Sequence, residues 1–263
     1  MVFTVFLVIT PAVAAPNDNA SNKGPPELEK IVFIHYYKPN HASDSDCNAA
    51  CEGNDNNKTF RLINGGIKWA NLPIDYLISN QFSNSEATAI KDSADTWDDA
   101  LDEMSASPIN LFDNPSSTVL IQANPGDNDG ENIIVKGDLA SNIIGVTSFW
   151  YNPGTKEVVD ADMVLNFVDF DWSTNDPGTP LKMDVQNIVT HELGHFLVLD
   201  DLSSPKTFDL TMYGFSDTGE IKSRTTGFGD ELGVAELYAS SDGGVDDGED
   251  GPDCTKSKSK KWC

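Results

Sequence analysis

The stretch HELGHFLVLDD, residues 191–201, contains two histidines four residues apart and a glutamate directly after the first of them. It lies within DVQNIVTHELGHFLVL (184–199), whose apolar spacing predicts an amphipathic helix with Asp184 as the N-cap. On a helix, residues four apart project on the same side, so the imidazoles of His191 and His195 can reach one ion. Glu192 is rotated by about 100° from His191, near that ion without being needed as a ligand. The alternative is a helix with two incidental surface histidines.

The order of residues in this stretch, H-E-x-x-H, is the arrangement of zinc hydrolases. In such a site two histidine nitrogens bind zinc, and the glutamate acts as general base and then as general acid towards the leaving amine. A catalytic zinc ion needs a third protein ligand. Four acidic residues downstream are candidates, namely Asp200, Asp201, Asp209 and the more distant Glu220.

With the segment LTMYG (210–214), the motif resembles the metzincin clan of zinc peptidases, and most of all its matrixin-like members. The resemblance implies that Asp201 is the third zinc ligand and that Met212 forms a hydrophobic floor beneath the ion. Tyr213 would line the primed-side specificity pocket or be a plain core tyrosine. Similar segments surround the motif over roughly 60–240, namely IKWANLPIDYLI, VVDADMVLNF and GDELGVAELY.

Two residues depart from the pattern of the clan. Val198 stands where the clan has a glycine, which adopts positive φ easily, whereas a β-branched residue does not. Either the turn towards Asp201 is made differently, or the third ligand is Asp200 or Asp209; Asp209 would resemble the aspzincins. Asp201 itself replaces the histidine of vertebrate matrixins, as in some bacterial members, and a carboxylate is a reasonable zinc ligand.

Other features of vertebrate matrixins are missing from the sequence. Their structural zinc site needs three further histidines, and only His35 and His41 remain, both far upstream. Their cysteine-switch motif is not matched by DCNAAC (46–51). We therefore expect one catalytic zinc ion, no structural zinc ion and no latency through a cysteine.

The order of predicted elements indicates an α+β fold, namely a metzincin-like catalytic domain with a twisted mixed β-sheet, an active-site helix and a C-terminal helix. Strands are predicted at 31–37, 74–78, 117–123, 131–135, 143–151 and 157–167. Helices are predicted at 83–104, where Ser83 and Glu86 form a capping-box signature, at 184–199 and at 229–239, the last starting at Asp230. By resemblance, 143–151 is the edge strand that binds substrate as an added β-strand; the alternative is an ordinary core strand.

The chain divides into four segments. Residues 1–15 are apolar and end in small residues, which predicts a secretory signal peptide, and 16–58 form an N-terminal extension or pro-segment. Residues 59–240 form the catalytic domain, and 241–263 are an acidic linker with a Lys-rich tail. Local disulfides Cys47–Cys51 and Cys254–Cys263 are the simplest of three possible connectivities. The sequence therefore predicts a secreted protein.

The net charge of the chain limits the kinds of partner that it can bind. The formal net charge of −25 repels nucleic acid and anionic lipid, so we expect no nucleic-acid partner and no membrane contact after signal removal. The resemblance to zinc peptidases implies a protein or peptide substrate, and we expect a monomer. The acidic turns around Asp160 and Asp162 could hold a structural calcium ion or be simply solvated.

Overall fold

The structure is a computed structural model that describes residues 27–38 and 55–239. It has an α+β fold with a mixed β-sheet and three helices. The strands are β1 Glu29–Tyr37, β2 Lys68–Trp69, β3 Ile74–Asp75, β4 Leu77–Ile78, β5 Phe112–Asp113, β6 Ile133–Gly137, β7 Ile143–Asn152, β8 Glu157–Asn166, β9 Trp172–Ser173, β10 Met183–Asp184 and β11 Phe215–Ser216. The helices are α1 Asn84–Met104, α2 Val185–Phe196 and α3 Phe228–Tyr238. The predicted signal peptide, the four cysteines and the tail lie outside the described residues.

The main sheet has the strand order β11-β1-β7-β8-β6-β4, with β2 paired to β8. The long hairpin of β7 and β8 is antiparallel, β1 is antiparallel to β7, and the remaining pairings within this sheet are parallel. Two short pairs, β9 with β10 and β3 with β5, lie outside it. The core lies between this sheet and helices α1 and α2, and none of the helices described is long and apolar enough to cross a membrane.

Strand β1 confirms the strand predicted at 31–37 and occupies an unexpected place. It lies between β7 and β11, inside the main sheet, so β7 is not an edge strand here. Side chains alternate along it: Phe33 and His35 are 7% and 1% exposed, whereas Val32 is 50% exposed. Part of the predicted extension 16–58 is therefore built into the sheet, and its removal stays a prediction.

The helix boundaries follow the predicted capping signals. The Ser83 hydroxyl accepts from the Glu86 N–H while the Glu86 carboxylate accepts from the Ser83 N–H, which confirms the capping box of α1. Asp184 caps α2 by accepting from the Asn187 N–H at 2.9 Å. Helix α3 begins at Phe228, two residues before the predicted Asp230, with Gly227 as its N-cap.

The strand predicted at 117–123 was wrong. Only one bridge forms there, between Ser79 and Val119, and Leu120 is 69% exposed. The physical reason is the shortness of the partner, because β4 ends at Ile78 and offers no further ladder for the segment. The strand predicted at 74–78 is likewise divided into the two short strands β3 and β4.

Candidate metal centre

Helix α2 presents both histidines of the motif to one point above its surface. His191 and His195 are buried, and each donates its Nδ1–H to a backbone carbonyl, of Thr211 at 2.7 Å and of Leu199 at 2.8 Å. These hydrogen bonds fix the tautomer in which Nε2 carries the lone pair. The two Nε2 atoms are therefore set to accept a metal ion.

Asp201 brings a carboxylate oxygen to the same point. Its Oδ1 lies 3.3 Å from His191 Nε2 and 3.5 Å from His195 Nε2. All three atoms are buried without a hydrogen-bond partner. Zinc–ligand bonds of about 2.0–2.1 Å in a tetrahedron place ligand atoms about 3.3 Å apart. The three residues thus fit one zinc ion in donor type, spacing and lack of other partners.

Charge within the centre favours an ionised Asp201. Burial alone would raise the pKa of its carboxyl, but in the metal-free protein the two imidazoles, when protonated, hold that pKa well below its usual range. The same contact raises the pKa of His195 above its usual value against the opposing effect of burial. An anionic oxygen and two imidazole nitrogens form the kind of ligand set that a catalytic zinc ion takes.

The turn that delivers Asp201 is made at Val198. This residue has a φ of 70°, in the left-handed region that glycine adopts easily and a β-branched residue rarely does. Its N–H donates to the His195 carbonyl at 2.9 Å, and the Leu199 N–H donates to the Gly194 carbonyl at 3.0 Å. The chain therefore leaves the helix through a glycine-type conformation despite the valine.

The alternative third ligands lie elsewhere. Asp200 pairs with Arg61 at 2.8 Å on the protein surface, and Asp209 is exposed. Among the described residues, Asp201 forms a possible metal-binding group with both His191 and His195, and His35 and Glu192 form one with His191 alone. Glu220 belongs to neither group. Of the four candidates, only Asp201 shares a point with both histidines.

Glu192 lies beside His191 and His195 and is completely buried. Its Oε2 accepts from the Thr147 hydroxyl of β7 at 2.5 Å, and its Oε1 accepts from His35 Nδ1–H at 3.1 Å. Burial tends to raise the pKa of this carboxyl, but the hydrogen bond from His35 and the surrounding imidazoles hold the pKa below its usual value. Glu192 is therefore an ionised carboxylate, suited to accept a proton.

Met212 and Tyr213 lie on the loop that follows the ligands. Both are 2% exposed; Met212 packs against Gly194 of α2, and Tyr213 packs between Phe208 and Phe215. The contact between Met212 and Gly194 places the methionine against the helix between the two ligand histidines. The aromatic contacts of Tyr213 leave both of its sequence-based roles open.

Three residues of this centre were missed by the sequence reasoning. His35 was considered only as a remnant of a structural zinc site, and Thr147 and Asp230 received no role. Asp230 is buried and accepts from the N–H groups of Thr211, Met212 and Gly227, so it holds the loop whose Thr211 carbonyl orients His191. The alternation of apolar residues along 31–37, which turns His35 inward, was the one available signal.

Asp160 and Asp162 lie on β8, away from this centre. Three of their four carboxylate oxygens accept backbone N–H groups of the loop 126–133, and Asp160 Oδ1 is buried without a partner. Burial raises the pKa of Asp162 to about 7. The two residues therefore clamp this loop, and calcium binding there stays a prediction.

Comparisons with known proteins give no relative: no family model matches the chain, and no curated protein matches it. The function is therefore argued from the geometry and chemistry of the centre.

Proposed function

We propose that this chain is a secreted zinc endopeptidase of the metzincin clan, similar to the matrixins. The observation that carries the proposal is the convergence of His191 Nε2, His195 Nε2 and Asp201 Oδ1, all buried and without other partners, next to the carboxylate of Glu192. Three protein ligands with a neighbouring general base are the requirements of a hydrolytic zinc site. Met212 supports the centre from below.

The residues of the chain divide the reaction between them. Zinc, when bound, acts as a Lewis acid that polarises a carbonyl and acidifies water to a pKa of about 7. Glu192 accepts a proton from the attacking water and delivers it to the leaving amine. Thr147 fixes one oxygen of that carboxylate through its 2.5 Å hydrogen bond, and the other oxygen, which accepts from His35 in this structure, is the one for proton transfer once His35 has moved away. The carbonyls of Thr211 and Leu199 orient the two imidazoles.

The substrate we propose is a protein or peptide bound in extended form along β7. Strand β7 carries Thr147 beside the catalytic carboxylate, and its backbone is available for pairing on the side away from β8 whenever β1 is absent. We also propose that the protein is exported, because residues 1–15 have the pattern of a signal peptide. We further propose that it is a monomer and that its charge of −25 prevents binding to nucleic acid and membranes. We also propose that the acidic residues Asp160 and Asp162 hold a structural calcium ion.

A second function is favoured by one observation, namely the burial of His191, Glu192 and His195 beneath β1. Glu192 and both ligand histidines are at most 1% exposed, as they would be in a secreted binding module that has lost catalysis. The retention of the base next to three ligand atoms supports the peptidase instead. The left-handed conformation at Val198 also removes the geometric reason for a lost third ligand.

The test is hydrolysis of casein by the purified, zinc-loaded secreted protein, with Glu192→Gln prepared in parallel. We expect cleavage by the wild type, before or after limited proteolysis of its N-terminal segment, loss of cleavage on chelation, and no cleavage by the variant. Zinc content is measured for both proteins. Zinc-loaded wild type that never cuts would support the binding module, and a protein that takes up no zinc would contradict both functions.

A further inference from the structure

Strand β1 fills a groove that an extended peptide would otherwise occupy. The groove is bounded by β7 and β11 and floored by the face of α2 that carries His191, Glu192 and His195. Strand β1 pairs antiparallel with β7 along 29–36 and parallel with β11 at Tyr36 and Tyr37. A peptide added to β7 would need the same backbone groups, so the two occupants exclude one another.

The inward face of β1 lies directly on the metal centre. The Phe33 ring stacks on the His195 ring with centroids 4.0 Å apart and planes 8° apart, and the His35 ring lies 4.0 Å from that of His191. In the strand register, Phe33 lies opposite Thr147 and His35 lies opposite Gly145. These contacts account for the complete burial of Glu192.

His35 engages the base of the reaction rather than the metal ligands. Its Nδ1–H donates to Glu192 Oε1 at 3.1 Å, and its Nε2 accepts from the Ser216 hydroxyl at 3.0 Å. Both ring nitrogens are thus used, one on the catalytic carboxylate and one on β11. The ladder shifts register between His35 and Tyr36, at the point where the strand passes over Glu192.

From these contacts we propose that β1 is an autoinhibitory strand, which occupies the substrate groove like a peptide and captures the general base Glu192 through His35. The inference rests on the proposed peptidase function and names its regulation. The protein is latent because His35 hydrogen-bonds the general base Glu192 and because β1 covers the proposed metal ligands. Substrate reaches the centre only after β1 has left the groove, and severing its chain connection would favour this by lowering its effective concentration.

The test compares four full-length, zinc-loaded proteins: wild type, His35→Ala, Phe33→Ala and the control Val32→Ala, which alters the solvent-facing side of the same strand. The first readout is the rate at which zinc passes to an excess of a coloured chelator, which does not depend on activity. We expect release to be about tenfold faster in His35→Ala and Phe33→Ala, the effect of losing one buried contact of β1, and unchanged in Val32→Ala. The second readout is casein cleavage, which should rise in the same two variants.

A synthetic peptide of residues 27–38 provides a second measurement, which can be made even if one of the variants folds poorly. Added to Phe33→Ala, the peptide should slow both zinc release and cleavage, and the same peptide with His35→Ala should do so more weakly. Equal zinc release and equal cleavage in wild type and His35→Ala, with no effect of the peptide, would overturn the inference while leaving the peptidase intact. Failure of every protein to retain zinc would instead overturn the proposed function, and the inference with it.

Discussion

Met212 occupies the space that a side chain at Gly194 would need. A Cβ added at residue 194 would overlap the Met212 sulphur and would lie 2.9 Å from the Trp97 ring. Both neighbours are at most 2% exposed, so neither has free space into which to move. The glycine between the two ligand histidines therefore permits the close approach of the loop to α2.

Replacing Gly194 by Ala should therefore destabilise the protein. Overpacking costs about 1–3 kcal/mol and the gain in helix propensity offsets about 1 kcal/mol of it, so we expect the free energy of unfolding to fall by up to about 2 kcal/mol. Urea denaturation of the metal-free protein measures it. In the double variant with Met212→Ala, the loss should be smaller than the sum of the single losses. Strict additivity would show that the two residues do not compete for space.

The sequence predicts the parts of the centre that lie within one helix, and it predicts less well the contacts between segments that are far apart in the chain. The spacing of His191 and His195 and the cap at Asp184 lie within one helix, so the sequence alone places them on one face. The position of β1 depends on pairing with β7, more than 100 residues downstream. Nothing local in 29–37 shows which strand it joins, so the contact of His35 with Glu192 could not be foreseen.

The turn at Val198 was hard to predict for a different reason. The backbone preference of a β-branched residue disfavours positive φ there, whereas burial of the side chain in the tertiary structure favours the observed position. The Val198 side chain is fully buried in the core, and burial of a valine is worth about 1.5–3 kcal/mol. A left-handed conformation costs a residue with a Cβ about 1–2 kcal/mol. The two terms are similar in size, so the sequence alone could not decide whether the turn would form.

At position 198, a glycine variant should be more stable than an alanine variant, which is the reverse of the usual order of stability within a helix. Val198→Ala and Val198→Gly both lose the buried methyl groups, but only alanine keeps the Cβ that opposes a φ of 70°. We expect the glycine variant to be more stable than the alanine variant by about 1 kcal/mol in urea denaturation. At Val189, buried within α2, the same pair should show the normal order, with alanine more stable by about 1 kcal/mol. The same order at both sites would argue against a strained turn.

Asp201→Ala should abolish tight zinc binding. Its Oδ1 lies 3.3 Å from His191 Nε2 and 3.5 Å from His195 Nε2. We expect the zinc affinity to fall by at least about 100-fold, since loss of an outer-shell partner alone costs 10–100-fold. Competition with a chelator of known affinity measures this. Asp209→Ala, at an exposed position that the sequence also offers as a third ligand, is the matched control and should bind zinc as the wild type does. Full zinc occupancy in Asp201→Ala would rule out this ligand.

Glu231 on α3 should make the stability of the metal-free protein depend on pH. Burial, aided by the nearby Glu103, raises the pKa of its carboxyl from 4.5 to about 7. The folded state therefore holds this proton more tightly than the unfolded state, and the stabilisation present below pH 4.5 is lost as the pH rises to about 7.

Glu231→Gln keeps an acceptor for the Thr226 hydroxyl and cannot ionise. We expect it to gain stability relative to the wild type as the pH rises from 4.5 to 8. The gain should reach about 1–2 kcal/mol, since one pKa unit is worth about 1.4 kcal/mol and partial exposure reduces the effect. Urea denaturation at several pH values measures the difference. Glu236→Gln, an exposed site on the same helix, should track the wild type throughout. A difference that shrinks with rising pH would have the wrong sign for a carboxyl whose pKa is raised by folding.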